Sequence, residues 1–172
     1  MPKIFEIKAT LQGITPEIYR TIQVRSAISL QVLHEVFQAV FLWENYHLHF
    51  FQDASGQDIK QELLVALQDV ISKGKNLMYV YDYGDSWTID ISLQKEFTVD
   101  DDGEYPICTN GARHAPPEDS GGVTGYEMAL ELIQMKEKRD YSLITEWYGN
   151  AFDPELFNLN EANTRLTHLK GV

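Results

Sequence analysis

The chain has 172 residues, of which 14 are Lys or Arg and 26 are Asp or Glu, so its formal net charge is −12. A domain of this length buries about two thirds of its unfolded surface without help from disulfides, and we expect one domain over residues 1–172. The composition, with 44% hydrophobic and 23% charged residues, excludes a wholly disordered, collagen-like or coiled-coil chain.

The N-terminal segment and the cysteine content predict a cytoplasmic protein. Residues 1–6 carry charges at Lys3 and Glu6, where a signal peptide needs a continuous apolar run. Cys108 is the single cysteine, so it has no partner for an internal disulfide. No stretch reaches the roughly 18 apolar residues of a membrane-spanning helix. We therefore expect no contact with a membrane.

The first predicted elements are two paired strands and a helix. Residues 3–11 and 19–25 alternate polar and apolar side chains, as strands with one buried face do. Gly13-Ile14-Thr15-Pro16 supplies turn residues between them, so the strands should form a hairpin. Ser29 can cap a helix whose apolar residues recur at three-and-four spacing, namely Leu30, Leu33, Val36, Phe37, Val40 and Phe41.

Further strands are predicted in the middle of the chain. The aromatic run from Tyr46 to Phe51 has the composition of a strand, and residues 68–72 should add a helical turn. Residues 77–83 form a second β-rich run, and Gly84-Asp85 fits a two-residue turn with positive φ. Residues 86–93 should return as a strand whose buried face consists of Trp87, Ile89, Ile91 and Leu93.

The last part of the chain predicts a long loop and several helices. Residues 96–123 are rich in acids, Pro and Gly without periodicity, which favours an irregular loop. Thr124 and Glu127 form a capping-box pattern at the start of a helix. Residues 140–148, 153 onward and 160–169 should form short helices. The order β-β-α-β-β-β-α, followed by short helices, predicts an α+β fold with a mostly antiparallel sheet and helices packed on one face.

Two histidines form the first candidate site. His47 and His49 are two positions apart in a predicted strand, so both imidazoles should face the same side. With a third ligand such as Asp82, the pair could bind a divalent metal ion. The alternative is that the rings pack against Trp43 and the first helix with their nitrogen atoms hydrogen-bonded.

Carboxylates form the second and third candidate sites. Asp82 and Asp85 could bind a cation or act as an acid and base pair, or Asp85 could accept hydrogen bonds within its own turn. Glu118 and Asp119 follow two prolines and precede two glycines. That loop could present both carboxylates to a ligand or to its own amides.

The same segments carry a resemblance to a known family. Tyr81-Asp82-Tyr83-Gly84-Asp85-Ser86-Trp87 and Pro116-Pro117-Glu118-Asp119-Ser120-Gly121-Gly122, together with His47-Leu48-His49-Phe50, resemble the plasmid pRiA4b ORF-3-like family. The resemblance extends over residues 5–168 and implies an α+β domain found in plasmid and insertion-sequence settings as well as in chromosomes. It does not imply a defined activity.

Departures from the family pattern bear on metal binding. Relatives carry a histidine where this chain has Ile89, and cysteines where it has Ala115 and Ser120. The resemblance therefore argues against a soft thiolate site in this chain. A hard-cation site survives these differences, with the carboxylates of Asp82, Asp85, Glu118 and Asp119.

Three functional hypotheses follow. The first is an accessory module that binds a ligand or a protein partner through His47, His49, Asp82, Asp85, Trp87, Glu118 and Asp119. The second is a metal-assisted hydrolase with His47, His49 and Asp82 as metal ligands and Glu118 as base. The third is a mobile-element protein associated with DNA through a basic patch of Lys3, Lys8, Arg20 and Arg25, although the net charge of −12 argues against nucleic acid.

Overall fold

A seven-stranded antiparallel sheet carries the fold in the computed structural model, which describes residues 1–100, 103–135, 138–149 and 152–171. Its strands are β1 Lys3–Leu11, β2 Ile18–Arg25, β3 His49–Gln52, β4 Asp58–Ile59, β5 Leu77–Tyr81, β6 Trp87–Thr98 and β7 Ile107–Ala112. The helices in this part of the chain are α1 Leu30–Phe41, α2 Leu67–Val70, α3 Gly122–Met135, α4 Lys138–Tyr148 and α5 Leu159–Arg165. Two short 3-10 helices cover Glu62–Leu64 and Leu166–Leu169. The predicted α+β fold is confirmed.

The strands lie in the order β4-β3-β5-β6-β1-β2-β7. The predicted hairpin of β1 and β2 forms, and β1 also pairs with β6. The predicted alternation is observed in β2, in β1 from Phe5 onward and in β6 from Trp87 to Ile91, where alternate side chains enter the core. Leu93, predicted on the same face of β6, is only partly buried. Among the residues that the structure describes, no helix has the length and apolar character needed to cross a membrane.

Helix α1 begins at the predicted cap residue. The Ser29 side chain accepts a hydrogen bond from the Val32 N–H, which satisfies one of the free amides of the first turn. The helix ends at Leu42, which adopts a left-handed φ of 61°. The α1 side chain of Phe37 packs on the sheet, with its ring 5.1 Å from that of Tyr79. The chain then leaves the helix toward β3, which pairs with the edge strand β4 and with β5.

The turn between β5 and β6 differs from the prediction. Tyr81 pairs with Trp87, so five residues rather than two connect the strands. The left-handed conformations occur at Asp82 and Ser86, not at the predicted Gly84-Asp85 pair. The Asp82 carbonyl accepts a hydrogen bond from the Ser86 N–H at 2.6 Å, which closes the wider turn.

The predicted irregular loop over residues 96–123 contains regular structure. Strand β6 continues to Thr98, and β7 pairs with β2 as an edge strand; residues 101 and 102 of that loop lie outside the described residues. The side chain of Asn163 in α5 accepts from the Cys108 N–H and donates to the Cys108 carbonyl, both at 2.9 Å. Strand β7 is thus held by backbone and amide hydrogen bonds, which leave no hydrophobic alternation in its sequence.

The last helices also differ from their predicted starts. The N-cap of α5 is Asn158 rather than Asn160, and its side chain accepts from the Glu161 N–H. The helix predicted from residue 153 is replaced by a turn. There the Asp153 carboxylate accepts from the Glu155 N–H at 2.9 Å, so the acid stabilises a turn instead of capping a helix.

A buried arginine ties the sheet to α1. Arg20 is fully buried, and its guanidinium donates to the backbone carbonyls of Val40, Tyr19, Ala112 and Arg113 at 2.7–2.9 Å. Burial lowers the pKa of Arg20 to about 10. These four bonds satisfy a charge that would otherwise be costly in the interior.

Candidate functional site

Three connecting segments bring an imidazole and three carboxylates together at one end of the sheet. His47 comes from the connection between α1 and β3, Asp82 follows β5, and Glu118 and Asp119 precede α3. The His47 Nε2 atom lies 3.7 Å from Asp82 Oδ2, 3.6 Å from Glu118 Oε2 and 3.3 Å from Asp119 Oδ1. We call these four residues the carboxylate pocket.

The Tyr81 hydroxyl positions the segment that carries His47. It accepts hydrogen bonds from the N–H groups of Tyr46 at 3.0 Å and His47 at 3.4 Å. The N–H of Asn45 donates to Gln38 Oε1 at 2.9 Å, which fixes the same segment to α1. Because His47 precedes β3, the expectation that His47 and His49 share one face of a strand is wrong.

Asp82 enters the pocket because its backbone leaves the strand. It adopts a left-handed φ of 60°, a region that Asp tolerates better than most residues. Its N–H donates to the Leu48 carbonyl at 2.9 Å, and its Oδ1 atom accepts from the Gly84 N–H at 2.8 Å. The other oxygen, Oδ2, faces His47, and the side chain is only 9% exposed.

Glu118 has one oxygen held by the protein and one without a partner. Its Oε1 atom accepts from the Glu44 N–H at 2.8 Å and from the Tyr81 hydroxyl at 3.0 Å. Burial, and then the adjacent Glu118 carboxylate, raise the pKa of Tyr81 above its usual range. Within the described part of the chain, Glu118 Oε2 and His47 Nε2 are buried atoms without a hydrogen-bond partner. Such atoms in a native protein need an explanation.

The loop that carries Glu118 and Asp119 is fastened at both ends. The indole of Trp43 donates to the Pro116 carbonyl at 2.9 Å, and the Gly121 N–H donates to Asp85 Oδ2 at 3.1 Å. A Cβ on Gly122 would lie 2.7 Å from the Asp85 carbonyl oxygen, so only glycine permits this approach. Asp85 thus holds the loop and is not among the carboxylates that contact His47.

Two other predicted site residues lie apart from the pocket. His49 Nε2 lies 2.8 Å from Glu62 Oε2, and its ring stacks on that of His34 with 3.6 Å between centroids. Burial, and then the neighbouring His49, lower the pKa of His34 to about 4. Trp87 is fully buried, with its ring edge-on to Tyr126. The alternative weighed for the histidines, packing with hydrogen-bonded nitrogen atoms, therefore describes His49.

Sequence reasoning missed Tyr81 as the organiser of the pocket. Its hydroxyl contacts both the His47 segment and Glu118, and its ring stacks on Trp43 at 4.8 Å. A signal existed, because a tyrosine placed among buried apolar residues usually needs a partner for its hydroxyl. The partner itself could not be predicted from chain position.

The basic patch considered for nucleic acid is not assembled. Arg20 is buried and bonded to carbonyl groups. Lys3 pairs with Glu96 at 3.4 Å, and Lys8 pairs with Glu17 at 2.9 Å. Arg20, Lys3 and Lys8 are thus engaged within the protein.

The pocket combines the donor types of a divalent-metal site. Imidazole nitrogen and carboxylate oxygen are ligands for Zn²⁺ and Mn²⁺, which bind such atoms at about 2.0–2.2 Å. Two ligands of one such ion are then separated by about 3–4 Å. The candidate ligand atoms of His47, Asp82 and Asp119 all lie within 4.8 Å of one another. The distances from His47 Nε2 to Asp82 Oδ2, 3.7 Å, and to Asp119 Oδ1, 3.3 Å, fall in that interval.

Comparisons with known proteins agree with this fold. The model of a family described as "Plasmid pRiA4b ORF-3-like protein" matches residues 3–161. "Uncharacterized protein y4hQ" of Sinorhizobium fredii (strain NBRC 101917 / NGR234) is 30% identical over 182 residues, covering 96% of this chain and 92% of that protein. The crystal structure of the "Protein of Unknown Function MM3350" from Methanosarcina mazei Go1 has a TM-score of 0.86 and 38% identity, covering 94% of this chain and 98% of that one. Neither name states a substrate or a partner.

Proposed function

The chain belongs to the plasmid pRiA4b ORF-3-like family, and we propose that it is a binding module for a divalent metal ion. His47, Asp82 and Asp119 supply the ligands, and Glu118 completes the pocket. The observation that carries this proposal is the pair of buried atoms without a hydrogen-bond partner, His47 Nε2 and Glu118 Oε2, 3.6 Å apart. A cation bound to His47 would give its Nε2 atom a partner, and its charge would compensate the buried Glu118 oxygen.

Electrostatics supports the proposal. Three carboxylates within 3.7 Å of one imidazole nitrogen repel one another. Within the described part of the chain, no Lys or Arg forms an ion pair with any of the three. A divalent cation offsets this repulsion, and the mixed nitrogen and oxygen donors favour Zn²⁺ or Mn²⁺ over Mg²⁺ and Ca²⁺, which prefer oxygen alone.

Calorimetric titration of chelator-treated protein tests the proposal. We expect one equivalent of Zn²⁺ or Mn²⁺ to bind and to raise the free energy of unfolding by about 2.7 kcal/mol at 100 times the dissociation constant. Asp82→Asn and Asp119→Asn should each weaken binding by at least about 10-fold. Asn tolerates the left-handed backbone at both positions, and in Asp82→Asn it keeps an acceptor for the Gly84 N–H.

A matched control removes a nearby charge outside the pocket. Asp85→Asn changes the net charge by the same amount, and the Asn amide oxygen can still accept from the Gly121 N–H, so the loop and the groups around His47 should stay in place. This variant should bind metal nearly as well as the wild type. Stability without metal gives a second readout, because Asp82→Asn relieves repulsion and should not destabilise the protein. Equal metal affinity of the wild type and both pocket variants, or no stabilisation by any of these ions, would refute the proposal.

Metal-assisted hydrolysis is a second candidate, favoured by the arrangement of Glu118. One oxygen is held by Glu44 and Tyr81 while the other is buried and unpaired, as a base that removes a proton from water would be. The metal ligands would then be His47, Asp82 and Asp119, so Asp119 takes the place of His49 in the ligand set predicted from the sequence. Glu118→Gln distinguishes a base from a metal ligand. If Glu118 is the base, the variant keeps its metal affinity and loses turnover of p-nitrophenyl esters. If the variant loses metal affinity, Glu118 is a ligand.

A further inference from the structure

We propose that the carboxylate pocket continues into an apolar cleft between α3 and α4 that binds the apolar side chain of a small primary amine, such as the amino-terminal residue of a peptide. The inference deepens the proposed function and rests on it for the net charge of the site. It names the class of molecule that would meet the bound ion.

The cleft and the pocket share one residue. The cleft has a volume of about 330 Å³ and is lined by Asp119, Gly121, Met128, Leu132, Ile144 and Trp147 among others. Asp119 is also the carboxylate closest to His47, at 3.3 Å. A ligand in the cleft therefore lies beside the pocket, and Asp119, whose side chain is 65% exposed, can reach both.

The walls of the cleft leave apolar surface open to water. Met128 is 60% exposed and Trp147 is 66% exposed, although both face a cleft and not a flat surface. Covering such side chains with another apolar group is favourable. A pocket with mostly apolar walls and a few convergent polar groups is the usual form of a small-molecule site.

Size limits the occupant to a small group. The volume of about 330 Å³ lies at the lower end of the roughly 300–1,000 Å³ observed for ligand pockets. A cavity of about 150 Å³ accommodates benzene. The cleft therefore fits one large apolar side chain, such as phenyl, better than an extended lipid chain.

Charge selects an amine over an acid. The three carboxylates of the pocket contribute −3 and a divalent ion +2, so the loaded site keeps a net charge of −1. An apolar carboxylate would be repelled, whereas an ammonium group gains a charge-assisted hydrogen bond to a carboxylate such as Asp119. An adjacent cleft of about 590 Å³ contains Glu118 and Leu156, and the experiment below distinguishes it.

Calorimetry with three probes tests the inference on the metal-loaded protein. Phenylalaninamide should bind about 10- to 100-fold more tightly than glycinamide, which is the effect of burying a phenyl group. N-acetylphenylalaninamide, which lacks the ammonium charge, should bind at least about 10-fold more weakly than phenylalaninamide. Equal affinities of phenylalaninamide and glycinamide, or of the acetylated and free amines, would overturn the inference.

Two variants locate the apolar group. Leu132→Gln should reduce the affinity for phenylalaninamide while leaving that for glycinamide and for the metal unchanged, and Leu156→Gln in the adjacent cleft should have no effect. The reverse pattern would overturn the inference. Each variant is also titrated with metal alone. If no metal binds, the proposed function is refuted, and the relative affinities of the three amides, measured on chelator-treated protein, decide the inference by themselves.

Discussion

His34 should make the protein less stable as the pH falls from 6.5 to 4. Its Nδ1 atom lies 2.8 Å from the Tyr79 hydroxyl, which accepts from Gln38 Nε2 at 3.0 Å. The hydroxyl therefore donates its one proton to His34 Nδ1, and Nε2 donates to Asn45 Oδ1 at 3.0 Å. Both partners suit a neutral ring, and His49 stacks on it at 3.6 Å.

The magnitude follows from the pKa. Burial, and then the electrostatic interaction with the neighbouring His49, lower the pKa of His34 from 6.5 to about 4. The unfolded chain therefore binds a proton at His34 between these values while the folded chain does not. Stability is unaffected above pH 6.5 and decreases as the pH falls toward 4, by about 3 kcal/mol in total, since each pH unit corresponds to about 1.4 kcal/mol.

Urea unfolding at several pH values between 4 and 7 measures this effect. Glutamine at position 34 cannot be protonated, so His34→Gln should lose about 3 kcal/mol less stability over this interval than the wild type. His168→Gln removes an exposed histidine and should follow the wild-type curve. Parallel curves for wild type and His34→Gln would refute the reasoning, whatever the absolute stability of the variant.

Three further predictions concern packing and reactivity. Gly125→Ala should destabilise the protein by about 1–3 kcal/mol in urea unfolding, because its Cβ would lie 2.2 Å from the Ser120 carbonyl oxygen; wild-type stability would contradict this. Asn163→Ala should cost about 1–3 kcal/mol and speed amide exchange at Cys108, since both of its hydrogen bonds to that backbone are lost. Burial raises the pKa of the Cys108 thiol to about 11, so iodoacetamide at pH 8 should modify it only after unfolding; rapid labelling of the native protein would disprove this.

Most of the sheet could be predicted because its strands are half-buried. The alternation around Ile7 in β1 and Ile89 in β6 follows directly from one face packing on the core. Strand β7 could not be predicted, because backbone pairing with β2 and the side chain of Asn163 stabilise it rather than alternating burial. Tertiary contacts of this kind leave no local pattern.

The pocket could be predicted only in part. The binding hypothesis requires the segments that carry His47, Asp82 and Glu118 to lie together, and the side chains of these three residues do meet. The backbone that brings Asp82 into the pocket was not predicted. Asp82 adopts a left-handed conformation, which a run of β-forming residues does not indicate. The separation of His49 depends on where β3 begins, and strand boundaries are poorly determined by composition.

The position of β1 in the sheet has a consequence for synthesis on the ribosome. Its neighbours are β2, which ends at residue 25, and β6, which ends at residue 98. The 73 residues between these two ends take roughly 4–15 s to translate at about 5–20 residues per second. During that interval the nascent hairpin exposes an unpaired central edge, which is a surface suited to chaperone capture and to pairing with a neighbouring nascent chain.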